Sequence, residues 1–272
     1  MTATRLWQPV VEFVSSLSAW PQFVSGWQLF VVQQSGGGQF GGLLSNPWFY
    51  AVLSAVALVV GAAVGVWAKP DRFWQAILLA VGGGSLIVSL AFELFRPAVE
   101  ALGQWEASAY FTLGVLAFSG LDILIDRVAS DESEKNGWGL WASVTTDGVP
   151  ENVAMGSLLV GNVSGALAFL FALVVTNGSQ SMMSGTNMSE NLSKWATMAA
   201  WTTTAFVIGS AVMLGYWFLP GLANYWRVAV EAFAAGAILS SLAGEIFPDA
   251  YEDAGPSITL ATTVGFLVTF LV

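Results

Sequence analysis

Eight apolar segments, separated by short polar connections, constrain the fold of this chain more than any other feature of its sequence. A helix needs about 20 mostly apolar residues to cross the hydrocarbon core of a bilayer. The segments cover residues 48–68, 73–95, 106–127, 138–160, 166–188, 195–219, 226–247 and 257–272. The last of them is short but carries no charge. The pattern predicts an all-α integral membrane protein with eight transmembrane helices.

The composition supports a membrane protein and narrows its chemistry. Hydrophobic residues make up 56% of the chain and charged residues 10%, whereas soluble domains carry about 25% charge. Histidine and cysteine are both absent, which excludes disulfides, thiolate chemistry, haem ligation and the usual soft zinc sites. Any bound metal ion must therefore have oxygen ligands.

The acidic residues give the chain a formal net charge of −10. This sign argues against a nucleic-acid partner. Two interpretations of the acidity remain: attraction of cations towards a pore, or adaptation of exposed surfaces to a high-salt habitat. The second is favoured because the excess acids lie in loops on both sides of the predicted spans, such as 131–134 and 249–253.

The first 47 residues differ in character from the rest of the chain. Two prolines and a glutamate argue against a cleaved signal peptide and against a further span over residues 6–32. The tryptophans of this region favour short amphipathic helices in the membrane interface, and the glycine-rich stretch 33–42 is typical of a linker. We therefore predict an interfacial and linker segment at 1–47 and a transmembrane domain at 48–272.

The distribution of basic residues predicts the orientation in the membrane. With eight spans, five basic residues fall in loops on one side and three on the other. The two groups are Lys69, Arg72, Arg127, Lys135 and Lys194, and Arg5, Arg96 and Arg227. Because cytoplasmic loops are enriched in lysine and arginine, we expect both termini on the extracytoplasmic side of the cell membrane.

Residues 144–156, within the fourth segment, place two carboxylates and a proline in apolar sequence. Asp147 and Glu151 are four residues apart, so a helix puts both on one face. Pro150 cannot donate to the Thr146 carbonyl, and its ring crowds that turn, which predicts an interrupted helix. Two carboxylates one turn apart in lipid repel each other unless one is protonated or a cation lies between them. The stretch therefore predicts a cation site.

The fifth segment repeats this spacing with neutral oxygen donors. Thr176 and Gln180 are four residues apart, and Asn177 lies between them. Because spans joined by a tight turn are antiparallel neighbours, we expect the two polar clusters to meet near mid-membrane, as in cation sites built from two interrupted helices. The alternative is that such serine, threonine and asparagine side chains only hold helices together.

Several other residues carry weaker expectations. Glu93 and Glu245 lie near span ends, each shortly before a proline, where either one lines an entrance or extends to water. Glu231 follows Arg227 by four residues, which predicts a local ion pair. Three glycines in the fourth and fifth segments are expected to let these two helices approach closely. They are Gly148, Gly156 and Gly178.

These motifs, taken in order, resemble the ZIP (Zrt/Irt-like) family of divalent-metal transporters. Residues 147–152, Asp-Gly-Val-Pro-Glu-Asn, are similar to the fourth-span motif His-Asn-x-Pro-Glu-Gly of that family. Residues 176–180 fall where its fifth-span motif ends in a glutamate. Further similarities lie at residues 121–126, 235–238, 245–250 and 265–267.

The resemblance implies a fold and a mode of action. It implies eight transmembrane helices in an inverted 3+2+3 arrangement, with both termini outside. The fourth and fifth helices would form the transport site, which in the family is often a binuclear metal centre. Transport would proceed by an elevator-like or alternating-access motion towards the cytoplasm.

The family's metal ligands can be compared with this chain position by position. Asp147 stands where the family has a metal-binding histidine, and Glu151 keeps a bridging carboxylate. Thr176 and Asn177 occupy two ligand positions, whereas Gln180 replaces the second bridging glutamate. The sixth segment has no acidic residue, so a glutamate that serves a second metal in some members is missing. The resemblance thus implies a single ion bound by oxygen, such as Mn²⁺, Fe²⁺ or Zn²⁺.

The sequence therefore predicts a transporter of a divalent metal cation (zinc, iron or manganese), with the ion as substrate and no prosthetic group. The alternative is a ZIP-like homologue that binds ions or supports a partner without transport, because Gln180 is neutral. An intramembrane enzyme is disfavoured, since the chain has no Ser/His or Cys/His pair. The expected partners are the metal ion and the lipid bilayer; the oligomeric state stays open, with a homodimer among the alternatives.

Overall fold

The structure, a computed structural model, describes residues 39–128 and 138–271, and all regular secondary structure within these ranges is helical. Contacts divide the chain into two units. One comprises Met1–Ser45 and Leu271–Val272, and the other Asn46–Phe270. The predicted interfacial helices of the N-terminal segment lie outside the described residues.

Each of the eight predicted segments falls largely on helix within the described residues. In the first unit, the described residues are the short helix Gln39–Leu44, the turn after it and Leu271. The longer helices are α1 Pro47–Trp67, α2 Arg72–Leu102, α3 Gln104–Val128, α4 Trp138–Leu158, α5 Val163–Asn191, α6 Lys194–Phe218, α7 Asn224–Ser241 and α8 Ile258–Leu271. After Ser241, α7 continues through a π-helical segment, Leu242–Ile246, into the short helix Phe247–Ala254.

Six stretches are long and apolar enough to cross a membrane. They are Pro47–Trp67, Arg72–Leu102, Gln104–Ile125, Val163–Asn191, Lys194–Gly221 and Asn224–Leu271. Helix α4 is not among them, since its many polar residues lower its mean hydropathy. These helices fit an all-helical, multi-pass membrane protein.

Side-chain caps fix where several helices begin. Asn46 precedes α1, and its Oδ1 accepts a hydrogen bond from the Trp48 amide at 3.0 Å. Asp71 caps α2 through the Phe73 amide at 2.8 Å. The predicted tight turn after α4 is present, and Asn162 in this turn caps α5. Asparagine and aspartate are preferred at these positions because they satisfy backbone amides that have no partner in the helix.

Helix packing places α4 and α5 among the other helices. Helix α5 contacts α1, α2 and α4, and α4 also contacts α6 and α7. Helix α1 packs along α6, and α3 packs along α7. Helix α2 approaches two neighbours closely, because Gly82 faces Thr176 of α5 and Gly84 faces the backbone of α8.

Two segments of the chain repeat each other in sequence and in structure. Residues 89–103 and 241–255 share Ser-Leu-Ala-x-Glu, then phenylalanine, alanine, glutamate and a final glycine at matching positions. Both contain a π-helical stretch, Ser89–Phe95 in the first and Leu242–Ile246 in the second. Both finish at a glycine with positive φ, +84° in the first and +55° in the second.

The packing of these two regions is repeated as well. Gly84 of α2 faces the α8 backbone, and Gly265 of α8 faces the α2 backbone. In the same way, Gly236 of α7 and Gly114 of α3 each face the backbone of the other helix. A methyl group at any of these positions would overlap a carbonyl oxygen of the partner helix. The pairs α2–α8 and α7–α3 are thus equivalent.

Candidate functional site

The two carboxylates of the polar stretch are buried side by side on α4. Asp147 is 6% exposed and Glu151 4% exposed. Helix α4 packs against α5, α6 and α7, which buries the side of the helix that carries both carboxylates. Burial of two acidic groups one helical turn apart is unfavourable unless other groups or an ion compensate their charge.

The groups around Asp147 do little to compensate the negative charge of its carboxylate. The side chain of Ser241, at the end of α7, lies beside its carboxylate, but neither carboxylate oxygen has a well-formed hydrogen bond among the described residues. The nearest charges are also negative, because Asp122, Glu151 and Glu245 lie close enough to repel it. A buried carboxylate in these surroundings is suited to attract a cation.

Helix α5 contributes the neutral half of the predicted site. Thr176, Asn177 and Gln180 are all buried. The Thr176 hydroxyl donates to the Ala172 carbonyl at 2.8 Å, which leaves its oxygen lone pairs free to accept. The Asn177 Nδ2 has no hydrogen-bond partner within the described part of the chain. The structure therefore keeps polar oxygens on α5, and their joint binding of an ion with α4 stays a prediction.

The expectation that Pro150 interrupts the fourth helix is wrong. Helix α4 runs without a break from Trp138 to Leu158 and contains Pro150, and α5 is also continuous. A proline removes only one backbone hydrogen bond, and packing within a bundle can compensate for that loss. The Asn152 amide also bonds the Gly148 carbonyl at 2.8 Å, which adds a side-chain link across the same turn.

The expectation for the three glycines of α4 and α5 is also wrong. Gly148 and Gly156 face α6, where a methyl group would meet Ile208 or the Val212 backbone. The nearest backbone to Gly178 is that of Ala57 in α1, at ordinary contact distance. Gly148 and Gly156 thus bring α4 close to α6 rather than to α5, and Gly178 lies against α1 without requiring a close approach.

A cavity of about 880 Å³ opens near the start of α4, but neither Asp147 nor Glu151 lines it. It reaches Ser143, one helical turn before Asp147, and α3, α5 and α7 also contribute to its wall. Five carboxylates and one guanidinium line it. They are Asp122, Glu245, Asp249, Glu252, Asp253 and Arg72. This excess of acidic groups concentrates cations at the cavity.

Glu245 lies closer to the candidate site than its position near a span end indicated. Its Oε1 accepts a hydrogen bond from the Ser143 hydroxyl, and its Oε2 has no partner among the described residues. The side chain thus connects the cavity wall with α4. The repeated Ser-Leu-Ala-x-Glu motif was the signal in the sequence that sets this glutamate apart from an ordinary residue at a span end.

Other acidic residues have structural partners. Glu231 is 2% exposed, and its Oε1 accepts from the Ser157 hydroxyl at 2.6 Å. Arg227 also reaches it at 3.2 Å, so the predicted ion pair is confirmed. Glu93 accepts from the Asn162 amide at 2.6 Å. Neither Glu231 nor Glu93 lines the cavity.

The acidic residues do not form a preformed metal cage. Among the described residues, no three Asp or Glu side chains stand close enough together to hold one ion. An ion at Asp147 and Glu151 would need neutral oxygens to complete its shell, which Thr176, Asn177 and Gln180 have the right chemistry to supply.

Comparisons with known proteins do not assign this chain to a family. No protein-family model matches the chain, and a search of curated proteins gave no match.

Proposed function

We propose that this protein is a ZIP-like permease that moves a divalent metal cation across the cell membrane. The observation that carries the proposal is the buried pair Asp147 and Glu151, one helical turn beyond Ser143 in the wall of a cavity lined by acidic groups. In the described part of the chain no positive charge compensates the pair, and the cavity would lead a cation from one face of the bundle to Glu245 and Ser143, one turn before Asp147. The substrate class follows from the oxygen-only ligand set, which suits Mn²⁺, Fe²⁺ or Zn²⁺.

The repeated packing supports an inverted arrangement of eight spans. Helices α2 and α7 carry the matching segments, and they run in opposite directions if each helix crosses the membrane once. The stretch Asn224–Leu271 has 48 residues, which as one helix would be about 72 Å long, more than twice the thickness of a bilayer core. It is long enough for two crossings, and α4, packed against α5, α6 and α7, would supply the remaining one.

The cavity lies at the end of the bundle that the basic residues predict to be cytoplasmic. Its wall includes Arg72 at the start of α2, Ser143 near the start of α4 and Asn187 near the end of α5. In the eight-span arrangement these positions share one membrane face. The proposed state is therefore open to the cytoplasm, and both termini are extracytoplasmic.

Metal uptake by proteoliposomes tests the proposal. We expect flux of at least one of Mn²⁺, Fe²⁺ and Zn²⁺ with the wild-type protein, and at least a tenfold loss with Asp147→Asn or Glu151→Gln. One unit charge at 4 Å contributes about 4 kcal/mol at an effective dielectric constant of 20, so removal of one carboxylate exceeds this threshold. The matched control is Glu100→Gln, which removes an exposed carboxylate paired with Arg96. Equal flux in all four proteins would exclude the site.

A non-transporting ion-binding homologue is the second candidate. The absence of any three-acid cluster among the described residues favours it, as does the neutral Gln180. Calorimetric binding of a metal ion that requires Glu151, without flux into vesicles, would support this alternative. Flux would exclude it.

A further inference from the structure

Glu93 and Glu245 occupy equivalent positions in the two matching segments. Each lies in a π-helical stretch, and such stretches are frequent at functional sites. Each also accepts a hydrogen bond from the region where a central helix begins. The Ser143 hydroxyl of α4 donates to Glu245, and Asn162, the cap of α5, donates to Glu93 at 2.6 Å.

The two equivalent glutamates differ in whether they line the cavity. Glu245 and Ser143 line the cavity, whereas Glu93 and Asn162 do not. Gly165 packs so tightly against Glu93 that a methyl group there would overlap the carboxylate. Glu93 and Asn162 are partly exposed, but the tight packing at Gly165 closes the bundle behind them.

An apolar layer separates the Glu93 contact from the polar residues of α5. Phe169, Ala172 and Leu173 lie on α5 between Gly165 and Thr176, and all three are fully buried. They belong to the main hydrophobic cluster, together with Leu86 and Leu90 of α2 and its π-helical extension. Water and ions cannot pass this layer unless α2 and α5 separate.

We propose that the Glu93–Asn162 hydrogen bond is the latch of a gate at the end of the bundle opposite to the cavity. The gate alternates between this closed form and an open form in which the bond is broken and the apolar layer behind it becomes accessible. The repeated motif gives the bundle two equivalent ends, one at Glu93 and one at Glu245. A gate that alternates between a closed and an open arrangement requires such a pair of ends. The inference rests on the proposed transport function, because it assigns the second entrance of the same route.

One substitution removes the latch without removing the helix cap. The Oδ1 of Asn162 accepts from the Gly165 amide at 2.9 Å, and aspartate caps helices as well as asparagine does. Asn162→Asp therefore keeps the cap, deletes the donor to Glu93 and places a second carboxylate opposite it. The double variant Asn162→Asp with Glu93→Gln restores one hydrogen bond with donor and acceptor exchanged.

Thiol labelling reports opening directly, because the natural chain has no cysteine. The reporter is Ala172→Cys, a small change at a fully buried position behind the latch. A charged, membrane-impermeant thiol reagent is added separately to each face of vesicles that contain the full-length protein. The matched control is Asn46→Asp, which makes the same exchange at the cap of α1.

We expect Asn162→Asp to raise the labelling rate from the Glu93 face about tenfold or more, since a hydrogen bond to a charged group is lost. The double variant should return to within about threefold of the parent, because its restored bond closes the gate again. Labelling of Asn162→Asp as slow as that of Asn46→Asp would overturn the proposal. Labelling of the double variant as fast as that of Asn162→Asp would also overturn it, since fast labelling would then not depend on the latch.

Flux of Mn²⁺, Fe²⁺ and Zn²⁺, each measured in the same vesicles, separates this proposal from the function on which it rests. Latch-dependent labelling without flux in the parent protein refutes the permease but supports the gate. Flux in the parent, with labelling that does not respond to the latch, supports the permease and refutes the gate.

Discussion

The contact between α4 and α6 positions the candidate site, and one added methyl group tests it. A methyl group at Gly156 of α4 would stand 2.1 Å from the Val212 carbonyl oxygen of α6, whereas ordinary contact begins at about 3.4 Å. The two backbones must therefore separate by about 1.3 Å, the difference between these distances. Gly156 lies five residues after Glu151 on the same rigid helix, so the shift is transmitted to the carboxylates.

The expected energy follows from two opposing effects. Overpacking costs about 1–3 kcal/mol, whereas alanine in a helix is more stable than glycine by about 0.5–1 kcal/mol. Gly120 of α3 provides the matched control, because it is exposed and has nothing within 4 Å of an added methyl group. Gly120→Ala should be neutral or stabilising, and Gly156→Ala should be less stable than Gly120→Ala by about 1–3 kcal/mol.

Unfolding of the purified variants by SDS in mixed micelles, followed by tryptophan fluorescence, measures this difference. Metal flux provides a second measurement, because a displacement of about 1 Å in a site can reduce its activity about a hundredfold. Equal stability and equal flux of Gly156→Ala and Gly120→Ala would refute the close packing of α4 on α6.

Two further predictions concern charge. Gln180→Glu adds a third carboxylate near the proposed site, and calorimetry should show at least about tenfold tighter Mn²⁺ binding, because an added negative charge attracts a divalent ion; unchanged or weaker binding would place Gln180 away from the ion. Arg227→Met leaves Glu231 buried without its cation, so unfolding in mixed micelles should show a loss of about 3 kcal/mol. Adding Glu231→Gln should recover much of that loss, and failure to recover would argue against the ion pair as its cause.

Local sequence patterns predicted the helices and the near contacts along them. The segment 48–68 matches α1, Pro47–Trp67, because an apolar run bounded by polar residues determines a long apolar helix within a few residues. The pair Arg227 and Glu231 was equally accessible to prediction, since helical geometry alone brings residues four apart together.

Contacts between distant helices could not be read in the same way. A glycine indicates that a neighbouring helix comes close but does not indicate which one. Gly148 and Gly156 of α4 were therefore expected to contact α5, although they face α6. Pro150 indicated a break in the helix, because the rule that an internal proline interrupts a helix takes no account of the packing around α4. The proximity of Glu245 to Asp147 depends on contact between α4 and α7, which no spacing within one helix reveals.

The central claim is that Asp147 and Glu151 bind the transported cation. Anomalous scattering from crystals of the protein soaked in Mn²⁺ tests it most directly, because it locates the ion without reference to its ligands. We expect one strong peak within coordination distance of both carboxylates, with an oxygen of Thr176, Asn177 or Gln180 in the same shell. Peaks confined to the acidic wall of the cavity or to surface carboxylates, with none between Asp147 and Glu151, would contradict it.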